Sequence, residues 1–343
     1  MNSILKSPRT ALLLGSVVII TLCFLFNSPV TLAWFYFSMA ALSAIGNDSI
    51  QTLGTFLSSN SKTKWWQLWL FVAGIYCLTI FYGFYIEQDI AFGRLDKIPA
   101  VTDISFMQAL APVVLLLLTF FKVPISTTFL ILSMFASTKT IEAMMLKSFY
   151  AYGIAFVVGA VVFSLLFYLP FVKHELSAKA QKRWRVFQWL TTGFLWTSWL
   201  MQDTANIIVF LPRGLGLIEA CSVAVIGSLA LALIFYLRGG RIQSIVTEKQ
   251  DVTDVRVATM VDLTLTFVLI YFKQLNSIPM STTWVFLGLL AGRELILTIL
   301  AKRHNRAMAS TYRQTLSLIV KDIGLASIGI VVSVAMVFLA RLF

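Results

Sequence analysis

A chain of 343 residues that is 59% hydrophobic and 12% charged, with a mean hydropathy of +0.86, has too few polar side chains to cover a soluble domain of that size. The composition predicts an all-α polytopic membrane protein lying in a lipid bilayer. The net charge of +12 does not call for a nucleic-acid partner, because basic residues in a membrane chain report topology.

A hydrocarbon core about 30 Å thick needs roughly 20 apolar residues per helix. About eleven hydrophobic segments follow in order: 11–26, 31–57, 65–86, 104–121, 125–137, 148–172, 187–211, 215–237, 257–272, 279–300 and 316–340. The first has a basic flank (Lys6, Arg9) but no clean small-residue cleavage site, and is expected to be a retained helix. With the N-terminus cytoplasmic and one crossing per segment, 18 of the 27 Lys and Arg residues fall inside and the C-terminus outside. The loop 87–103 carries four acids against two bases, as suits an outside loop.

Cys23, Cys77 and Cys221 stand alone in apolar segments and offer neither a disulfide framework nor metal spacing; packing is their expected role. His174 and His304 fall in basic inside loops and read as solvated. No cofactor is expected.

The chain writes Pro-x-Ser-Thr-Thr twice, in "VPISTTF" and "IPMSTTW". A constant offset of 155 residues carries Pro124 onto Pro279 and Ser126 onto Ser281, and the same offset carries Trp34 onto Trp189, Ser43 onto Ser198 and Asp48 onto Asp203. The chain therefore divides into an N-terminal helix (1–30), repeat 1 (31–171), a basic cytoplasmic linker (172–185) and repeat 2 (186–343), within one membrane domain. Five segments per repeat is an odd number, so the second copy enters the membrane from the opposite side. Inverted repeats with broken or half helices at the midplane are an architecture of secondary transporters.

An aspartate at membrane depth costs roughly 2.5 to 3.5 kcal/mol on insertion scales, and this chain has one at the same place in each copy, in "GNDSIQ" and "MQDTAN". Asn47, Asp48 and Gln51 in the first copy answer to Gln202, Asp203 and Asn206 in the second. Their oxygens suit a hard monovalent cation, and Gly46, Ser49, Gly54 and Thr204 would permit an unwound backbone supplying more. Proline followed by Ser-Thr-Thr suits a helix start, where hydroxyls lie beside unpartnered amides and the dipole attracts an anion. Capped helix ends are the plainer reading of either motif alone. Glu219, Asp262, Arg293, Glu294, Lys321 and Asp322 are weaker candidates near segment ends.

These motifs resemble the inorganic phosphate transporter family, whose members carry two inverted copies of a signature close to Gly-Ala-Asn-Asp-Val-Ala-Asn, each followed by Pro-Val-Ser-Thr-Thr-His. The family's histidine is Phe129 and Trp284 here, and one asparagine of each signature is glutamine. The resemblance implies a secondary transporter of an inorganic oxyanion, phosphate first and sulfate as the alternative, coupled to sodium or protons. It implies that Ser126, Thr127, Thr128, Ser281, Thr282, Thr283, Gln51 and Asn206 hold the oxyanion, and that Asn47, Asp48, Gln202 and Asp203 couple the cation. The expected home is a bacterial inner membrane, with a homodimer left open. An enzyme is not expected, since the companion motifs of intramembrane aspartyl proteases are missing. A channel or receptor of the same fold stays open.

Overall fold

The computed structural model describes residues 28–60, 62–101, 103–120, 125–169, 176–236, 254–304 and 312–342. The first hydrophobic segment with Cys23 lies outside these ranges, as do Pro124 and His174. The described chain is all-helical: α1 (Pro29–Ser59), α2 (Trp65–Tyr82) with a closing π turn (Gly83–Glu87), α3 (Phe106–Phe120), α4 (Thr127–Leu130) with a 3-10 turn (Leu132–Met134), α5 (Thr138–Tyr168), α6 (Ala178–Asp203), α7 (Ala205–Ile208), α8 (Leu217–Tyr236), α9 (Val255–Leu275), α10 (Thr282–Arg303) and α11 (Tyr312–Leu342). Among the described residues seven helices are long and apolar enough to cross a membrane.

Local chemistry sets the boundaries. Ser137 accepts from the Thr140 amide at 3.2 Å and starts α5 ten residues before its apolar run; the polar turns through Lys147 belong to the helix. Ser177 caps α6 in the same way, so Lys179, Lys182, Arg183 and Arg185 ride on its first turns. Asp254 caps α9 by accepting from the Arg256 amide at 2.8 Å. The unwound backbone expected around Asp48 is absent: α1 runs unbroken past Gly46, Ser49 and Gly54. Glycine lowers helix propensity by only about 1 kcal/mol, which packing overrides here. In the second copy the helix does break, at Thr204, directly after Asp203.

The copies also differ at Ser-Thr-Thr. In the first, α4 lasts four residues before the 3-10 turn; in the second, α10 continues for 22 residues. α10 can continue because it lies flush on α5. A β-carbon on Gly288 would sit 2.5 Å from the Tyr152 carbonyl oxygen, and one on Gly292 2.0 Å from that of Phe156. Only glycine admits such an approach.

Elements matched by the 155-residue offset run antiparallel where they meet. Gln188 near the start of α6 bonds Ser59 at the end of α1, while Tyr36 near the start of α1 meets Phe210 just beyond α7. Trp65 of α2 lies against Tyr236 of α8, and Tyr76 donates to the Val223 carbonyl at 3.1 Å. Cys77 packs against Ser228 of α8, whereas Cys221 is exposed on the outer surface of that helix, not in the interior where packing was expected. His304 ends α10 and lies against the rings of Phe167 and Tyr168.

Candidate functional site

Asp48 lies two-thirds of the way along α1 and Asp203 ends α6, and both carboxylates are buried, at 4% and 6% exposure. The Ser-Thr-Thr turns are brought against them. Thr127 donates to the two oxygens of Asp48 at 3.2 and 3.3 Å. Its equivalent, Thr282, donates to Asp203 at 2.5 Å. The second threonine of each motif reaches across to the other copy: Thr128 donates to the Met280 carbonyl and Thr283 to the Ile125 carbonyl, each at 3.2 Å. Met280 and Ile125 are themselves equivalent positions, so these two bonds are one interaction made twice. Thr128 also lies 3.3 Å from the Asp203 carboxylate.

The serines do something else. Ser126 accepts from the Phe129 amide and Ser281 from the Trp284 amide, both at 3.2 Å, so each hydroxyl is an N-cap. Capping and carboxylate binding are thus divided between neighbouring residues of one motif. The backbone amide of Ser281 donates to Ser148 of α5 at 2.8 Å, which anchors the start of α10.

Amides tie the carboxylates together. Asn206 donates to Asp203 at 3.0 Å and to the Thr127 hydroxyl at 3.1 Å. A continuous path therefore runs from Asp203 through Asn206 and Thr127 to Asp48. Asn47 donates to Asp48 at 3.0 Å and to the Ile125 carbonyl at 2.9 Å, and accepts from Thr119 of α3. Gln202 stands apart from these bonds, donating instead to the Leu269 carbonyl of α9 at 2.9 Å. The Gln51 side chain lies outside the described residues. The amide oxygens of Gln202 and Asn206 are buried without a hydrogen-bond partner, so each has lone pairs to offer. Burying such a group unpaired costs about 1 to 3 kcal/mol, which a bound cation could recover.

The donor set is thus oxygen throughout: two carboxylates, four threonine hydroxyls, two carbonyls and an amide oxygen. Hard cations take such ligands. Among the described residues no three His, Cys, Asp or Glu side chains cluster.

One of the weaker candidates is buried among polar partners, and two further groups, Arg94 and Lys147, carried no sequence signal for a site. Asp262 of α9, at 1% exposure, accepts from Thr55 of α1 at 3.2 Å and Thr192 of α6 at 2.5 Å; its offset-matched position is Met107, so the repeat gave no signal. Arg94 and Lys147 also turn inward. Arg293 pairs with its neighbour Glu294 and lies over the Phe163 ring, 5.4 Å from its centroid. Glu219 falls in the first turn of α8, while Lys321 and Asp322 lie on α11, the first exposed and the second half-buried. Comparison with protein-family models, curated proteins and solved structures finds no match.

Proposed function

We propose that the chain is a secondary active transporter of an inorganic oxyanion, phosphate foremost, driven by co-transport of sodium or protons through alternating access between two inverted repeats. The observation that carries this reading is the reciprocal wiring of the motifs. Thr127 to Asp48 repeats as Thr282 to Asp203, and Thr128 to Met280 repeats as Thr283 to Ile125. The antiparallel pairing of α1 with α6 and of α2 with α8 supports the inverted relation of the copies. A site made of equivalent groups from two inverted halves sits where those halves rock against one another, which is the arrangement alternating access requires.

In this reading the co-transported cation enters between Asp48 and Asp203 and takes ligands from the threonine hydroxyls and from Asn206. Each cation bound offsets one carboxylate charge, so two cations neutralise the pair and admit an anion to the same chamber, which couples the fluxes. Asn47 and the threonines of the Ser-Thr-Thr turns shape that chamber. Sulfate and other tetrahedral oxyanions are alternative substrates of the same chemistry, and the membrane is proposed to be a bacterial inner membrane. Uptake of labelled phosphate and sulfate into proteoliposomes, with and without a sodium or proton gradient, tests the proposal. Gradient-driven uptake is expected in the native protein and is expected to vanish in Asp48→Asn and in Asp203→Asn. Undiminished coupled uptake by either variant would falsify it.

A further inference from the structure

We propose that Arg94 and Lys147 form a buried anion-recognition site at the mouth of α10, where a tetrahedral oxyanion such as inorganic phosphate or sulfate binds before it reaches the aspartates. The segment 88–98 folds inward: Asp89 accepts from the amides of Ala91 at 2.8 Å and Gly93 at 2.6 Å, and Gly93 supplies the left-handed turn at φ +73°. The turn delivers Arg94 to 1% exposure. There one guanidinium nitrogen, Nη1, donates to the carbonyls of Asn276 at 2.7 Å and Ile278 at 3.3 Å. Lys147, coming from α5 at 6% exposure, donates to the same two carbonyls at 3.2 and 2.7 Å and to the Asn276 side chain at 2.8 Å.

Two basic side chains therefore converge on one turn, Asn276 to Ile278, just before the N-cap Ser281. Among the described residues neither has a carboxylate within ion-pair distance; the ion pairs found there are Arg256 with Asp254, Lys273 with Glu87 and Arg293 with Glu294. Burying an ion without a carboxylate in direct contact costs several kcal/mol, and the carbonyls offset only part of that. Arg94 is left with Nε and Nη2 buried and unpartnered. That is the edge of a guanidinium whose parallel N–H groups fit two oxygens of a phosphate or sulfate. Burial pushes the Arg94 guanidinium down to about 10, against the opposing charge of Asp203, so it stays cationic at neutral pH. The α10 dipole adds positive potential from the same direction.

Because both side chains are enclosed, at 1% and 6% exposure, an acyl-chained headgroup is too bulky to reach them. The ligand is accordingly a free oxyanion, and its role as transport substrate rests on the function proposed above.

The test is binding of inorganic phosphate and of sulfate to the purified full chain in detergent, by calorimetry and by ligand-dependent thermal stabilisation, with chloride at equal ionic strength as control. Phosphate or sulfate, and not chloride, should bind and raise the unfolding temperature. Losing hydrogen bonds from a charged donor predicts roughly ten-fold to more than a hundred-fold weaker binding in Arg94→Gln and in Lys147→Gln, with Arg94→Lys intermediate. If Arg94→Gln does not fold, Lys147→Arg against Lys147→Gln decides the matter, the first binding and the second not. Native-like oxyanion affinity in the glutamine variants, or no oxyanion binding by the native chain, overturns the site. The transport reading fails separately, when native vesicles show no gradient-dependent uptake although the purified chain binds the anion through Arg94.

Discussion

The two residue types of the Ser-Thr-Thr motif answer to different physics, and this separates their variants. Ser126 and Ser281 each satisfy one orphan amide at a helix start. Replacement by alanine is therefore expected to lower stability by about 0.5 to 2 kcal/mol, read as a lower unfolding temperature, with coupled uptake retained. Thr127 and Thr282 instead donate to the carboxylates. Thr127→Val and Thr282→Val keep the shape and remove that donor, so they are expected to alter cation and anion affinity and abolish efficient coupled uptake, on top of a stability loss of about 1 to 3 kcal/mol from the buried carboxylate left short of a donor. The expectation is symmetric, because the bonds are: silence of one threonine in every binding and uptake assay, with its partner essential, would contradict a shared site. The aspartates and the Ser-Thr-Thr hydroxyls drew notice in the sequence because each occurs twice at one offset, whereas the repeat did not report that Gln202 bonds to α9 instead. Asp262, a weaker candidate in the sequence, has Met107 at its offset, and Arg94 and Lys147, although matched by Lys249 and Lys302, turn inward because of a loop turn and neighbouring helices that no periodicity reports.

Helix positions were legible from hydropathy wherever the segment is apolar from end to end, as in α2 and α8. They were misjudged where a helix carries polar turns. α5 begins at Thr138 and not near Ser148, because Ser137 caps it and Lys147 finds carbonyl partners inside the protein. The break in the first Ser-Thr-Thr element and the continuity of the second likewise depend on contacts distant in sequence. The glycine face of α10 on α5 is the clearest case, since the carbonyls of Tyr152 and Phe156 occupy the space a side chain would need. Gly292→Ala must push the helices apart, and overpacking of this kind costs typically about 1 to 3 kcal/mol. The expected result is a lower unfolding temperature for Gly292→Ala, whereas Gly324→Ala on α11, where nothing lies within 4 Å, should equal or slightly exceed the native protein. Equal stability of the two variants would mean that the close approach of α5 and α10 contributes little.

At the scale of the whole molecule, contacts between distant loops sort the helix ends into two groups. Segment 88–98 meets the turn at Asn276 and Ile278, and Arg213 donates to the carbonyls of Ile98 and Pro99. At the opposite ends of the helices, Ser59 meets Gln188, Trp65 meets Tyr236 and Tyr168 meets His304. The second group holds the basic first turns of α6, the first holds the acidic loop after α2, and the positive-inside rule then orients the molecule. The helical architecture thus followed from composition, and the orientation we propose rests on charge once the loops are sorted by contact. Lys97 and Lys179 are exposed and belong to opposite groups. In a background with Cys23, Cys77 and Cys221 replaced by serine, Lys97→Cys should react with an impermeant maleimide applied to intact cells, and Lys179→Cys should react only after the membrane is opened. Both sites labelling from outside would remove the sidedness on which the inverted repeats depend. Labelling of Lys179→Cys alone would turn the molecule over, and would then direct the anion site of Arg94 and Lys147 toward the cytoplasm, making the chain an exporter by its first point of anion capture.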